Sequence, residues 1–157
     1  VQEALYTAKL IGKTIAEGVE WKMLLTKEGE YTDFEWFTGF CNLPATEGNW
    51  TLNKDPNLPS PFLYIEWHRN ATEGTADVKY TNISPTFPGD GSYIFYGKTN
   101  EVLHNRFYQI FGAEENRVID IKWSYEQYFG TVKDSIYFED TNWHCWDERL
   151  DDVDCTE

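Results

Sequence analysis

The sequence predicts a mainly β protein, an eight-stranded antiparallel barrel preceded by a short N-terminal helix, in a single domain spanning residues 1–157. Three observations predict it. Aromatic residues make up 17% of the chain, with seven Trp, ten Tyr and ten Phe, and such side chains fit the pleated, half-buried surface of a sheet. Stretches of alternating apolar and polar residues recur at short intervals, separated by Gly, Pro, Asn and Asp. Strands do not alternate with helices, which argues against a parallel α/β architecture. A length of 157 residues fits one domain with a core of its own. Eight such strands close into a barrel whose interior holds one small ligand, and closure removes exposed edges.

The elements follow in order. Residues 2–17 place Leu5, Ala8, Ile11 and Ile15 at helical spacing, with Val19 continuing the series and Gly18 offering a stop. The period then changes. Val19, Trp21, Met23 and Leu25 alternate with Glu20, Lys22 and Leu24, and Lys27 to Glu30 form a turn. Tyr31 to Cys41 resumes as a strand with Phe34, Trp36, Thr38 and Phe40 on one face. A polar stretch containing Pro44, Gly48, Pro56, Pro59 and Pro61 leads to a strand over Phe62 to His68, with Leu63, Ile65 and Trp67 opposite Phe62, Tyr64 and Glu66. Asn70 to Gly74 turns the chain into Ala76 to Ile83, and a loop over residues 85–91 precedes Ser92 to Lys98. Two further strands cover Arg106 to Ala113 and Arg117 to Tyr125, where Ile119, Ile121, Trp123 and Tyr125 share a face. The eighth covers Lys133 to Asp140.

The formal net charge is −14. This argues against nucleic acid and anionic membrane as partners, because both need Lys and Arg to neutralise phosphate. A cationic partner fits, although net charge also serves solubility by itself. Sequons at Asn49, Asn70 and Asn82 read as strand ends or loops of a secreted glycoprotein. No apolar run is long enough to span a bilayer, and the start at Val1 reads as a mature chain whose leader is absent. Cys41, Cys145 and Cys155 imply one bridge and one leftover thiol, or a bond between chains. Either Cys145 and Cys155 close a small loop, or Cys41 pairs with Cys155 and ties the acidic tail to the body. The second closes the longer loop, constrains the unfolded chain more, and is the expected pairing.

Catalytic signatures are absent: there is no phosphate-binding Gly-rich loop, His-Glu-x-x-His, Cys-x-x-Cys or Gly-x-Ser-x-Gly. His144 beside Cys145 and near Asp147 is better explained by a disulfide than by a metal or a Cys-His couple. The chain therefore reads as a binder rather than an enzyme, needing neither cofactor nor metal. Acid embedded among aromatics is more telling. Glu35 lies between Phe34 and Trp36, Glu66 between Ile65 and Trp67, and Glu139 follows Tyr137 and Phe138. An inward carboxylate needs a partner, and an ammonium ligand supplies one while rings hold its flat body. Equally, such acids face solvent while the aromatics fill the core, and strict alternation favours that reading at Glu35 and Glu66.

The N-terminal helix followed by VEWKMLLTKEGEYTDFEWFTGFC, the stretch RFYQIFGAEENRVIDIKWSY, a further strand and Cys155 together resemble a secreted lipocalin. Among lipocalins the pattern is most similar to the salivary amine-binding proteins of ticks. The resemblance implies a lipocalin-like domain that sequesters histamine or serotonin, a small cationic aromatic amine, as a monomer. The ligand-binding candidates are then Glu35, Trp36, Tyr64, Glu66, Trp123, Tyr137 and Glu139. Two alternatives stand beside this reading. One is a pilin-like or pseudopilin-like subunit with one long helix over residues 2–27 and a sheet, against which Gly12 and Gly18 count. The other is a secreted module that binds a protein.

Overall fold

The computed structural model describes residues 4–86 and 88–155, so residues 2 and 3 of the expected helix and residue 87 of the expected loop lie outside the described residues. The chain folds as one antiparallel meander. Its strands are β1 (Tyr6–Thr14), β2 (Gly18–Lys27), β3 (Tyr31–Asn42), β4 (Glu47–Asn53), β5 (Pro61–Asn70), β6 (Thr75–Asn82), β7 (Tyr93–Lys98), β8 (Arg106–Gly112), β9 (Arg117–Trp123), β10 (Gly130–Asp134), β11 (His144–Trp146) and β12 (Asp152–Val153). All 12 belong to one sheet in which spatial order equals sequence order. β1 and β12 are its two edges, so the sheet is open. The expected eight-stranded barrel is therefore overturned.

The expected N-terminal helix is overturned too, and with it the long helix of the pilin-like alternative. Tyr6 to Thr14 pairs residue for residue with Lys27 to Val19, and the described residues contain no helix. The reason is positional. β1 is an edge strand whose residues are all exposed, so no buried face imposes the period of two by which a strand is recognised. Its apolar residues fell at helical spacing without a helix to use it.

Register assigns each side chain to a face, because directly opposed residues of an antiparallel pair point the same way. One line runs Gly12, Trp21, Gly39, Trp50, Ile65, Tyr80, Ile94, Ile110 and Ile119 across nine strands. The flanking rows add Met23, Phe37, Leu63, Trp67, Val78, Tyr96, Tyr108, Ile121 and Trp123, which makes this face apolar. The opposite face carries all the mid-strand charge, in Lys22, Glu35, Glu66, Asp77, Lys79, Asp120 and Lys122 with Asn49, Thr51, His68 and Gln109, interleaved with Leu24, Phe40, Tyr64, Tyr93, Phe95, Phe107 and Phe111. The alternation read in 19–25, 62–67 and 119–123 is thus correct. That of 34–40 is not: a bulge between the pairs Met23–Phe37 and Leu24–Glu35 makes Trp36 an extra residue. Phe34 and Phe37 consequently share the apolar face, while Thr38 and Phe40 lie on the polar one.

Rings on the apolar face lie over glycines of the adjacent strand. A Cβ on Gly48 would stand 2.7 Å from the Trp67 ring and 2.6 Å from the carbonyl oxygen of Phe40. Trp50 covers Gly39 in the same way, an arrangement that fills the gap a glycine leaves in a sheet. Further along, Tyr80, Tyr96, Tyr108 and Trp123 form a row, with the Tyr80–Tyr96 rings stacked at 6.1 Å and the Tyr108–Trp123 rings at 5.8 Å. Among the described residues no second layer lies over these rings. Phe34, 8% exposed, is the one buried apolar side chain among the described residues.

The expected last strand, Lys133 to Asp140, is displaced toward the N-terminus. β10 ends at Asp134, whose carboxylate accepts backbone N–H bonds from Ile136 and Tyr137, both at 3.2 Å, and so folds the next residues into a turn. The same carboxylate takes two bonds from the Arg117 guanidinium. Beyond it, Cys145 opposes Val153 across β11 and β12. That places Cys155 within reach, with Cα atoms 5.2 Å apart, and the bridge joins Cys145 to Cys155. The expected Cys41–Cys155 pairing is corrected: Cys41 lies on β3, far across the sheet, and is free. A loop of 10 residues predicts that reduction destabilises the native state by about 2–3 kcal/mol. Urea denaturation with and without reductant checks this through the midpoint shift. A disulfide fits an oxidising compartment.

Candidate functional site

The sequence-derived candidates do not converge. Trp123 ends β9 on the apolar face against Tyr108. Glu35 lies on the polar face of β3 and is held by Lys22, Nζ to Oε2 2.6 Å. Trp36 occupies the bulge, packed on Phe37 with centroids 5.6 Å apart. Tyr137 and Glu139, expected on a strand, sit in the turn after β10; Tyr137 is exposed and Glu139 has a left-handed backbone with φ 59°. Only Tyr64 and Glu66, two residues apart on the polar face of β5, stay together.

Those two belong to a pair of grooves. One, of about 210 Å³, is lined by Phe40, Glu47, Asn49, Tyr64, Glu66 and His68. The other, of about 350 Å³, is lined by Glu66, His68, Asp77, Lys79, Tyr93 and Phe95. Glu66 and His68 form the ridge between them. Two further carboxylates, Glu47 and Asp77, flank this ridge, with Phe40 and Tyr64 on one side and Tyr93 and Phe95 on the other. Glu66 opposes Lys79 across the β5–β6 pair, yet the Lys79 ammonium lies over the Tyr93 ring, 4.3 Å from its centroid. Glu66 has no ion pair among the described residues.

His68 is the titratable centre. Its Nδ1 lies 2.9 Å from Asp77 Oδ1. That hydrogen bond raises its pKa above the ordinary 6.5, opposed by burial and supported by the charges of Asp77, Glu66 and Glu47. Behind it a hydrogen-bonded row crosses the sheet. The Tyr93 hydroxyl donates to Gln109 Oε1 at 2.7 Å, and Gln109 Nε2 donates to Asp120 Oδ1 at 2.8 Å. This row fixes the Tyr93 ring over which Lys79 lies.

Sequence reasoning missed Glu47, His68, Asp77 and Tyr93. A signal for two of them existed: Asn70 to Gly74 is a turn, and counting outward from the pair Asn70–Thr75 brings His68 opposite Asp77. A larger groove of about 570 Å³, lined by Ile11, Lys13, Glu20, Lys22, Phe40 and Thr51 among others, mixes both charge signs. Its acid Glu20 lies 3.8 Å from Lys13. Among the described residues no cluster of His, Cys, Asp or Glu is arranged to hold a metal ion.

The sequons differ in their surroundings. Asn49 lies inside β4, paired with Phe40 and Glu66, not at a strand end. The Asn82 amide donates to the Gly89 carbonyl. Asn70, at the exposed end of β5, has its oxygen occupied by two turn N–H groups. No family model, curated protein or solved structure matches the chain.

Proposed function

We propose that this is a secreted, non-enzymatic binding protein that takes a small cationic aromatic amine, such as serotonin or histamine, in the open grooves beside Glu66. The observation that carries the reading is the unpaired Glu66 carboxylate between two pairs of rings, with Glu47 and Asp77 adding negative charge. An ammonium placed there meets opposite charge, and its aromatic body lies along Tyr64 and Phe40. The groove is a surface feature rather than an enclosed barrel cavity, so charge complementarity contributes more to recognition than enclosure does. The disulfide and the exposed Asn70 sequon support the secreted reading.

Isothermal titration with serotonin, histamine and a neutral indole alcohol tests it. Both amines are expected to bind more tightly than the neutral compound, and Glu66→Gln to weaken the amines about tenfold, roughly 1.4 kcal/mol. Equal binding of the neutral compound removes the carboxylate from the account. No binding tighter than about 1 mM removes the amine. Protonation of His68 adds a positive charge to the same ridge, so amine affinity is expected to rise as pH increases through the raised His68 pKa. The gain across that titration should be a few-fold, on the order of 1 kcal/mol or less for one solvent-exposed charge. His68→Gln should flatten that dependence.

A further inference from the structure

A sheet with one apolar face ordinarily buries it against a second layer, and here each strand touches only its neighbours in the meander. An 18.4 kDa protein ordinarily exposes about 8,200 Å². This chain exposes 10952 Å², an excess of roughly 2,700 Å² on the same scaling. The excess has a place. From β2 to β9 the middle rows of the apolar face hold no Asp, Glu, Lys or Arg, and Lys27, Arg69, Lys98, Arg106 and Arg117 stand only at strand ends.

We infer that a second copy of this chain covers the apolar face, giving a two-sheet sandwich with both polar faces outward. The area is sufficient. Eight strands about 4.8 Å apart, each contributing about seven residues, present a flat footprint of roughly 900 Å² before side-chain relief is counted. Permanent homodimers bury about 1,000 Å² or more per subunit and have apolar interfaces. A two-fold axis lets one patch serve both partners. Charge fits as well: the acidic side chains of the polar face end up on opposite outer surfaces, whereas a lipid surface bearing anionic headgroups would repel a chain of net charge −14. The inference departs from the monomer expected from sequence. It concerns the face opposite Glu66 and stands independently of the amine.

Cys41 provides a probe already in place. It lies on the apolar face of β3, opposite Val19 and Gly48, with its sulfur accepting the Trp21 indole N–H at 3.3 Å. Light scattering of the unaltered chain should give twice 18.4 kDa. An aromatic disulfide reagent should modify Cys41 about tenfold more slowly in the dimer than in the diluted, dissociated chain, with rate and mass changing at the same concentration. Ile65→Lys on the apolar face should give a monomer with a fast thiol, and Thr51→Lys on the polar face should leave the dimer intact. A monomer at about 100 µM, or a dimer whose Cys41 reacts as fast as in the diluted chain, overturns the inference. So does a chain that remains monomeric but binds neutral-lipid vesicles through this face. If Ile65→Lys does not fold, the dilution series on the unaltered chain decides alone.

Discussion

Gly39→Ala is expected to destabilise the protein by about 3 kcal/mol, at the upper end of what overpacking costs. An added Cβ stands 2.5 Å from the carbonyl oxygen of Asn49 and inside the van der Waals envelope of the Trp50 ring. The carbonyl belongs to the β3–β4 ladder and cannot retreat without loss of pairing. The ring is held in turn: Phe37 meets it edge-on at 5.1 Å, and Trp21 lies 6.4 Å away. Either response breaks contacts among the Trp21, Phe37 and Trp50 rings. Gly112→Ala is the matched control, because its nearest neighbour, the Arg117 carbonyl oxygen, is 4.0 Å away. That change should stay within about 0.5 kcal/mol of neutral. Chemical denaturation of both variants checks the pair, and equal midpoints would contradict the packing argument.

Asp134→Ala should cost about 2–3 kcal/mol, the usual result of stranding the partners of a buried, charge-assisted network. Asp134 is 4% exposed and closes the turn after β10 while receiving the Arg117 fork. Its pKa is depressed, first by the Arg117 hydrogen bonds and then, against burial, by the Tyr137 and Ile136 backbone bonds and the Arg117 charge. A depressed folded-state pKa gives stabilisation that is fully present above the unfolded value, about 3.9. It is lost as pH falls through the folded value. The unaltered protein should therefore lose stability on acidification below about pH 4, and Asp134→Ala should show a shallower decline there. Parallel acid curves for the two proteins would contradict this.

How much of this was legible in the sequence follows from where burial imposes a pattern. β2, β5 and β9 alternate cleanly because one face of each holds Trp, Ile or Leu while their mid-strand charged residues, Glu20 and Lys22, Glu66, and Asp120 and Lys122, all lie on the other, and the alternation shows those faces. β1 escaped because an edge strand exposed on both sides carries no such constraint. The Trp36 bulge escaped because one inserted residue reverses every later face, and neither Trp36 nor its neighbours differ in polarity from a regular strand. β4, half polar and rich in Asn and Thr, read as a loop. Barrel closure was an inference from strand count, and closure depends on whether the first and last strands meet, which alternation does not encode. Of the expected ligand-binding residues, Tyr64 and Glu66 stay together because both lie on one face of β5. Asp77 and Tyr93 come to the same groove only through the β5–β6–β7 register, and Glu35 was removed from candidacy by Lys22, a diagonal neighbour across the β2–β3 pair.

Spatial order equal to sequence order has one more consequence. Among the described residues every strand pairing is a hairpin between consecutive strands, each coupled only to the one before and after it. Such a molecule is energetically close to one-dimensional: order propagates strand by strand, as along a row of linked units, with no distant pair to find first. Loop-closure entropy is met in small steps. Damage travels the same way, so a defect at Gly39 weakens its own neighbourhood while the hairpins near Asp134 respond only through the strands between them.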